Sequence, residues 1–443
     1  MSNPQANFLD KFFKLSERNT DVKTEIIAGL TTFITMSYII FVNPDFLTAA
    51  GIPQEAAIGA TILASAFATL LMGLYANFPI GLAPGMGLNA FFTYTIVLGM
   101  DVPWETALGA VFISGIIFVI LTVTKARQAI IKAVPQTLRS AIAVGIGLFI
   151  ALIGLKNAGI IIGDDITLVA LGDLGDPLVQ LAIFGVLVTG VLVAKRVTGA
   201  FLIGMFITTV VAMIFGFAQV PKSTADIFST QLPSIAPTFM QMDILGALSI
   251  GLITVVFSFT FVDLFDTIGT FMGVTQKAGM VKEDGNVPGM DKALMCDSVG
   301  TVFGAAVGTS TTTSYVESAA GTEAGGRTGL TAVTVGVMFL LALFFAPLVA
   351  IVPGVATAPI LVLVGVLMMS EVTKIKFSDF TEAFPAFMTI FLMPMTFSIA
   401  QGIAFGFTGY AIMKTATGRW NEVGLVMYIL AFLFIIQFAF FGH

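Results

Sequence analysis

The chain has 443 residues, 57% hydrophobic and 10% charged, with a mean hydropathy of +1.00. Soluble domains are about 45–50% apolar and about 25% charged, so a soluble globular protein is excluded and a polytopic helical membrane protein is indicated. A single cysteine, Cys296, allows no intramolecular disulfide or thiolate metal cluster, and the formal charge of −6 sets no orientation, because the placement of cations does that.

Residues 1–24 are polar and carry Lys11, Lys14, Arg18 and Lys23. They lack the apolar core and cleavage site of a secretory signal and read as a cytoplasmic tail. Apolar stretches able to cross a hydrocarbon core of about 30 Å follow at 25–45, 56–76, 104–124, 138–155, 177–194, 199–217, 250–273, 293–308, 329–351, 354–370, 381–397, 399–414 and 424–441. Two further segments, 79–98 and 309–327, are rich in Gly, Pro or Ser/Thr and read as broken spans, part extended backbone and part short helix. With the N-terminus inside, Lys125, Arg127, Lys132 and Arg139 fall in a cytoplasmic loop, as do Lys195, Arg196, Lys277, Lys282, Lys292, Arg327, Lys374 and Lys376. Only Lys156 and Lys222 fall clearly outside. Lys414 and Arg419 prefer the inside, which makes 381–414 a hairpin and leaves 424–441 as one helix more than the pattern requires.

An internal repeat shows through. VPQTLRSAIAVGIGLFIALIG begins at Val134 and VPGVATAPILVLVGVLMM at Val352; Thr198-Gly199 and Thr417-Gly418 follow them at nearly equal distances. A unit with an odd number of spans inserts upside down the second time. Transporters built this way bind substrate near the midplane, at their broken helices.

The second broken segment, Thr309 to Arg327 (TSTTTSYVESAAGTEAGGR), carries hydroxyls and two carboxylates between two apolar runs. Lipid offers such groups no partners, so they must be buried in protein or line a wet cavity. An ionisable residue there, Glu317, marks a functional site by default; a satisfied packing residue is the plainer alternative. Asp263 and Asp266, three apart on one helix face, and Asp297 are the other carboxylates expected within spans. The first half is read as contributing none, its broken segment PIGLAPGMGLNAFF offering Asn89 instead. Pro79, Gly81, Pro84, Gly85 and Gly87 forbid a regular helix through 79–87, so a helix is expected to begin near Asn89; the β-branched run 309–314 favours extended backbone before a helix near Tyr315. Phe91, Phe261 and Phe265 could stack on a planar solute, although packing is the commoner use of such rings. The only histidine is His443, so a coupled proton would have to ride on Asp or Glu.

With GLAPGMGLNAFF, VDLFDTIGT and TSTTTSYVESAAGTEAGGRTG in place, the sequence resembles the nucleobase–ascorbate (xanthine/uracil permease) transporter superfamily, in its AzgA-like adenine/guanine/hypoxanthine branch. The resemblance implies an all-α polytopic membrane protein with about 14 transmembrane segments in a 7+7 inverted repeat, two of them broken by short extended stretches. It implies a core domain (25–133 and 244–351) moving against a gate domain (134–243 and 352–443), usually in a homodimer. By motif, Asp263 and Glu317 would contact a purine nucleobase, with Asn89, Thr313 and Ser314 shaping the site. Asp266, Asp297 and Glu317 would couple protons. The uracil and xanthine branches carry Glu-His and Gln-Asn pairs where this chain has Asp266-Thr267 and Glu317-Ser318, which argues against those substrates. The implied activity is proton symport of guanine, hypoxanthine or adenine across the cell membrane, by elevator-like alternating access. No cofactor, metal or nucleic acid is expected. An anion exchanger of the same architecture would want a cation at the midplane, where none of the 20 Lys/Arg residues is expected, and an intramembrane aspartyl protease would need two opposed aspartates such as Asp263 and Asp297.

Overall fold

The computed structural model describes residues 8–124, 126–248, 250–282 and 287–441; Lys125 and His443 lie outside the described residues. A short helix α1 (Phe8–Phe13) precedes α2 (Val22–Met36), which Asp21 caps by accepting from the Thr24 N–H. The first span breaks at Ser37-Tyr38 and resumes as α3 (Ile39–Ala49). Then come α4 (Gln54–Leu71), ending in a π turn, β1 (Leu82–Pro84), and α5 (Met86–Ala90), which runs on in π geometry to Val97. The first half continues with α6 (Trp104–Val123), α7 (Ala126–Ala133) and α8 (Gln136–Asn157). A hairpin of β2 (Ile161–Asp164) and β3 (Leu168–Leu171) leads to α9 (Pro177–Ala194) and α10 (Ala200–Ile214).

The second half runs α11 (Ile244–Ala247), α12 (Ile250–Lys277), α13 (Met290–Val307), β4 (Thr312–Ser314), α14 (Ser318–Glu323), α15 (Gly329–Ala342) and α16 (Ala346–Ile351). It ends with α17 (Gly354–Met368), α18 (Phe380–Met395), α19 (Ile399–Ala416) and α20 (Leu425–Phe441). Among the described residues, eight helices are long and apolar enough to cross a membrane, and Met86–Val97, Ala200–Ile214, Phe380–Met395 and Leu425–Ile436 are shorter apolar helices.

The packing has the exchange symmetry of an inverted repeat. α6 lies on α13 as α15 lies on α4, and α18 lies on α8 as α9 lies on α17. The hairpins α9–α10 and α18–α19 correspond, and the counterparts α8 and α17 cross each other. Both of these begin after a Val-Pro pair, with Pro135 and Pro353 extended at the cap. They meet through small residues: a Cβ on Gly154 would stand 2.9 Å from the Ala358 carbonyl oxygen, the close backbone approach that small residues permit in lipid. The chain is a mostly helical, multi-pass membrane protein with this 7+7 arrangement. α20 stands outside it, packed on α19 and α7, with Phe434 edge-on to Phe257 of α12 at 5.3 Å.

At the centre of the exchange lies the two-stranded antiparallel ladder, Leu82 opposite Ser314 and Pro84 opposite Thr312. Broken helices leave backbone groups without partners, and each break here supplies them to the other. The Gly85 N–H donates to the Thr311 carbonyl and the Tyr315 N–H to the Gly81 carbonyl, both at 3.0 Å. Counterpart helices close the outer edges. Thr69 of α4 bonds the Leu82 N–H and carbonyl at 2.8 and 2.9 Å, and Thr301 of α13 donates to the Thr312 carbonyl at 3.0 Å.

Three sequence-based expectations are corrected by this geometry. The first-half helix begins at Met86, so Asn89 lies inside it and its N–H is spent on the Gly85 carbonyl at 2.8 Å. The second-half helix begins at Ser318, because the ladder holds the Tyr315 N–H and delays it. Nor is the first half free of carboxylates within its spans: Glu25 is fully buried near the start of the first span, and Asp45 lies in α3, accepting from the Thr357 hydroxyl at 2.6 Å. Glu25 receives the backbone N–H groups of Arg327 (2.8 Å), Thr328 (3.2 Å) and Thr331 (3.2 Å) and the Thr331 hydroxyl (2.6 Å), satisfying the start of α15 from another helix.

Candidate functional site

The carboxylates singled out in the sequence gather beside the ladder. Asp263 is the fourteenth residue of the long helix α12, so it sits at the middle of that span. It is fully buried; its Oδ1 lies 3.3 Å from the Thr267 hydroxyl one turn on, and its Oδ2 is buried with no hydrogen-bond partner among the described residues. Asp297, on α13, is equally buried, and both its oxygens lie 3.1 Å from the same Thr267 hydroxyl. That hydroxyl also meets Thr313 Oγ1 of β4 at 2.9 Å, and Ser314 Oγ reaches the Thr267 carbonyl at 3.4 Å. Thr267 is therefore the node joining α12, α13 and β4.

A cation completes the cluster. Arg127 of α7 is 1% exposed; its Nη2 lies 3.1 Å from Asp297 Oδ2, and its Nη1 reaches the Leu294 carbonyl and Ser298 Oγ at 3.4 and 3.5 Å. Its guanidinium carbon stands 4.7 Å from the centre of the Phe118 ring. The expectation that Arg127 lies in an aqueous cytoplasmic loop is corrected here, since its side chain is buried against Asp297. The segment 126–133 folds as a helix against α6, α12 and α20, and Asp297 gives the guanidinium a partner in place of water. In sequence, Arg127 looks like any other cation between Lys125 and Lys132, so only knowledge of the packing could have found it.

Glu317 lies at the turn between β4 and α14, half-buried. Its Oε1 accepts from the Tyr38 hydroxyl at 2.5 Å, and its carbonyl is 3.4 Å from Thr35 Oγ1. Tyr38 reaches it because it sits at the break between α2 and α3; the sequence reading did not single it out. Asp266 is half-buried and makes no hydrogen bond or ion pair among the described residues. From it an open strip runs along α12: a Cβ on Gly269 or Gly273 would meet nothing within 4 Å, and the strip ends at the exposed Lys277–Glu323 pair between α12 and α14.

Asn89 is fully buried. Its Oδ1 accepts from Ser310 Oγ in a short bond and its amide donates to the Pro84 carbonyl at 3.4 Å, so it ties the two broken segments together. Tyr315 reinforces the tie, donating to the Pro84 carbonyl at 2.5 Å. Phe91 packs edge-on to Phe259 at 5.2 Å, while Phe261 and Phe265 each lie 6.4 Å from Phe407 of α19, rings against rings where α12 meets α19.

At the other ends of these spans the halves are pinned. Asp45 bonds Thr357, Tyr94 meets Asn157 at 3.1 Å, and Thr95 donates to the Phe397 carbonyl at 2.5 Å. The cavity left there, lined by Asp45, Tyr94, Asn157 and Thr357, holds about 30 Å³, room for roughly one water. A larger cavity of about 210 Å³ is lined by Glu55, Gln231, Pro233 and Pro347, and none of the candidate residues borders it.

The xanthine/uracil-type family model described as "Permease family" matches residues 23–405. The chain belongs to the nucleobase–ascorbate transporter family. It is a transporter and not an enzyme, which retires the protease alternative. The adenine permease AdeQ of Escherichia coli is 45% identical over 433 residues, covering 98% of this chain and 96% of that protein. The guanine/hypoxanthine permease PbuO of Bacillus subtilis is 46% identical over 433 residues, covering 96% and 99%. Among solved structures, the transmembrane domain of the cyanobacterial bicarbonate transporter BicA aligns with a TM-score of 0.60 at 16% identity, covering 94% of this chain and 96% of that one. At that identity the likeness is one of fold.

Proposed function

We propose that the chain imports purine nucleobases (guanine, hypoxanthine or adenine) by proton symport across the cell membrane, with its N-terminal residues in the cytoplasm. The observation carrying this reading is that Glu317 and Asp266, both half-buried, stand beside the Asp263–Thr267–Asp297 cluster where two broken spans cross. Carboxylates there can accept the ring and amino N–H groups of a flat heterocycle and can take up and release protons. The names of the permeases that share nearly half its residues point the same way.

Asp263 and Glu317 are the proposed purine contacts, with Thr313 and Ser314 lining the site and Asn89 holding its two segments in register. Asp266 and Glu317 are the proposed proton carriers, and Asp297 supports the coupling from beside them. Residues 25–133 with 244–351 form the core, and 134–243 with 352–443 the gate, assembled as a homodimer. The faces where they meet are largely aromatic and aliphatic, as at Phe265 and Phe407, which suits sliding of one body past the other. The pinned seam at Asp45–Thr357 and the open strip from Asp266 to Lys277 fit a state closed outside and open inside. An anion substrate is disfavoured because Arg127, the one buried cation at the cluster among the described residues, is already neutralised by Asp297.

The test is uptake of radiolabelled guanine, hypoxanthine and adenine into cells lacking their own purine permeases, with and without a protonophore. Accumulation of at least one base that collapses with the protonophore is expected. Accumulation of none, or protonophore-insensitive accumulation, contradicts the proposal.

A further inference from the structure

The charges in the buried cluster do not balance unless it holds a proton. Two carboxylates, Asp263 and Asp297, share one guanidinium, and all three side chains are at most 1% exposed. A buried ion without a counter-ion is far costlier than a neutral, protonated carboxyl. Thr267 cannot settle the account, because a hydroxyl has one hydrogen to donate and this one lies within 3.3 Å of three carboxylate oxygens and the Thr313 hydroxyl.

The two carboxylates are not equivalent. Asp297 is bonded to Arg127 Nη2 and has Thr267 at both oxygens, whereas Asp263 has only hydroxyls beside it, Thr267 farther away and Thr313, and no partner on Oδ2 among the described residues. A carboxylate keeps its charge where donors surround it. The titratable groups around Asp263 are Asp297 on α13, Arg127 on α7 and Asp266 on its own helix. Glu317 and Tyr315, from β4–α14, stand around Asp266, and Lys414 of α19 is engaged by Glu382 and Glu422. Among the described residues, no second cation of the cluster competes with Arg127.

We infer that Arg127 is a positioning residue for the cluster's proton: by holding Asp297 as its ionised counter-ion, it leaves the proton on Asp263, with the unpartnered Oδ2 as an O–H donor. Asp263 then offers a purine a hydrogen rather than a lone pair on that oxygen, suiting an acceptor such as a ring nitrogen or carbonyl oxygen. Glu317 takes the base's N–H groups. Replacing the ionised partner, Asp297, by its neutral amide tests the arrangement. In Asp297→Asn, Arg127 loses its counter-ion and must take Asp263 instead, so Asp263 ionises. Removing Arg127 as well, in Arg127→Gln/Asp297→Asn, leaves Asp263 alone and protonated again. Arg127→Lys keeps the charge and the wild-type pattern. Only the use made of the proton rests on the transport reading above.

The experiment is modification of the purified full-length protein at pH 7 with dicyclohexylcarbodiimide, an electrophile that protonated carboxyls in apolar surroundings add to, giving a stable N-acylurea, followed by peptide mass spectrometry. Wild type and Arg127→Lys are expected to label at Asp263 and not at Asp297. Asp297→Asn, shown monodisperse by size exclusion, should lose about tenfold or more of the label at Asp263, and the double variant should regain it. Label on Asp297 in wild type, no label on Asp263 there, or undiminished label at Asp263 in Asp297→Asn would overturn the inference. A buried strut that served packing alone would not move the label between these variants. Because no purine enters the assay, this pattern can stand while purine transport fails, and the reverse.

Discussion

The Tyr38 hydroxyl donates to Glu317 Oε1 at 2.5 Å, joining the break in the first span to the turn between β4 and α14. A hydrogen bond to a charged group is worth about 1.5–3 kcal/mol. If Tyr38 aims Glu317 at the purine, Tyr38→Phe should weaken binding of labelled base by about tenfold or more while the protein remains monodisperse. Equilibrium binding checks this; wild-type affinity in the variant would separate Tyr38 from the site.

Glu25 makes a different prediction, for stability. Its carboxylate satisfies three backbone N–H groups and one hydroxyl at the start of α15. Glu25→Ala would strand those donors in a buried place, at about 1–3 kcal/mol for each unsatisfied group. A clear fall in the Tm of the detergent-purified protein is expected, with Glu25→Gln falling less because one amide oxygen still accepts. An unchanged Tm in Glu25→Ala would contradict this role.

Asp266 is half-buried and has no partner among the described residues, so its removal should spare the fold. Asp266→Asn is expected to keep measurable purine binding but to lose most proton-driven accumulation, with uptake ratios approaching those of a protonophore-treated control. Undiminished accumulation would exclude Asp266 from coupling.

Acid should loosen the end of the α18–α19 hairpin. Glu422 accepts from Arg419 at 2.6 and 2.8 Å and from Lys414 at 2.8 Å, and those donors, Arg419 foremost, hold its carboxyl down at about 2. Asp379, bonded by the Thr381 hydroxyl and by Arg419, is likewise held low. A lowered folded-state pKa stabilises above the unfolded value, here 4.5 for Glu422, and that stability is lost as pH falls from there towards about 2. The Tm of wild type should therefore drop more steeply between pH 5 and 3 than that of Glu422→Gln. Parallel curves would show that the cluster contributes nothing to the acid response.

The sequence disclosed much of this architecture, and its failures share a cause. Span positions, the two breaks and the repeated Val-Pro starts at 134 and 352 follow from local composition, because lipid penalises every exception. Asp263, Asp266, Asp297 and Glu317 stood out for the same reason. Arg127 and Glu25 did not, because each lies near a span end, where a charge normally means water; only α13 and α15 folding back onto them make them interior. Asn89 was misplaced by three residues of helix, since one extended turn after Pro84 suffices and Gly85 lets the helix resume at once. Tyr38 was invisible because the α2–α3 break carries no proline or glycine of its own.

The account stands most directly on Glu317. Binding of radiolabelled guanine, hypoxanthine and adenine to the purified wild-type protein and to Glu317→Gln, compared at matched Tm and monodispersity, measures it. Saturable binding of at least one base to wild type, weakened about a hundredfold or more in the variant, is the predicted result; wild-type affinity in Glu317→Gln would contradict it.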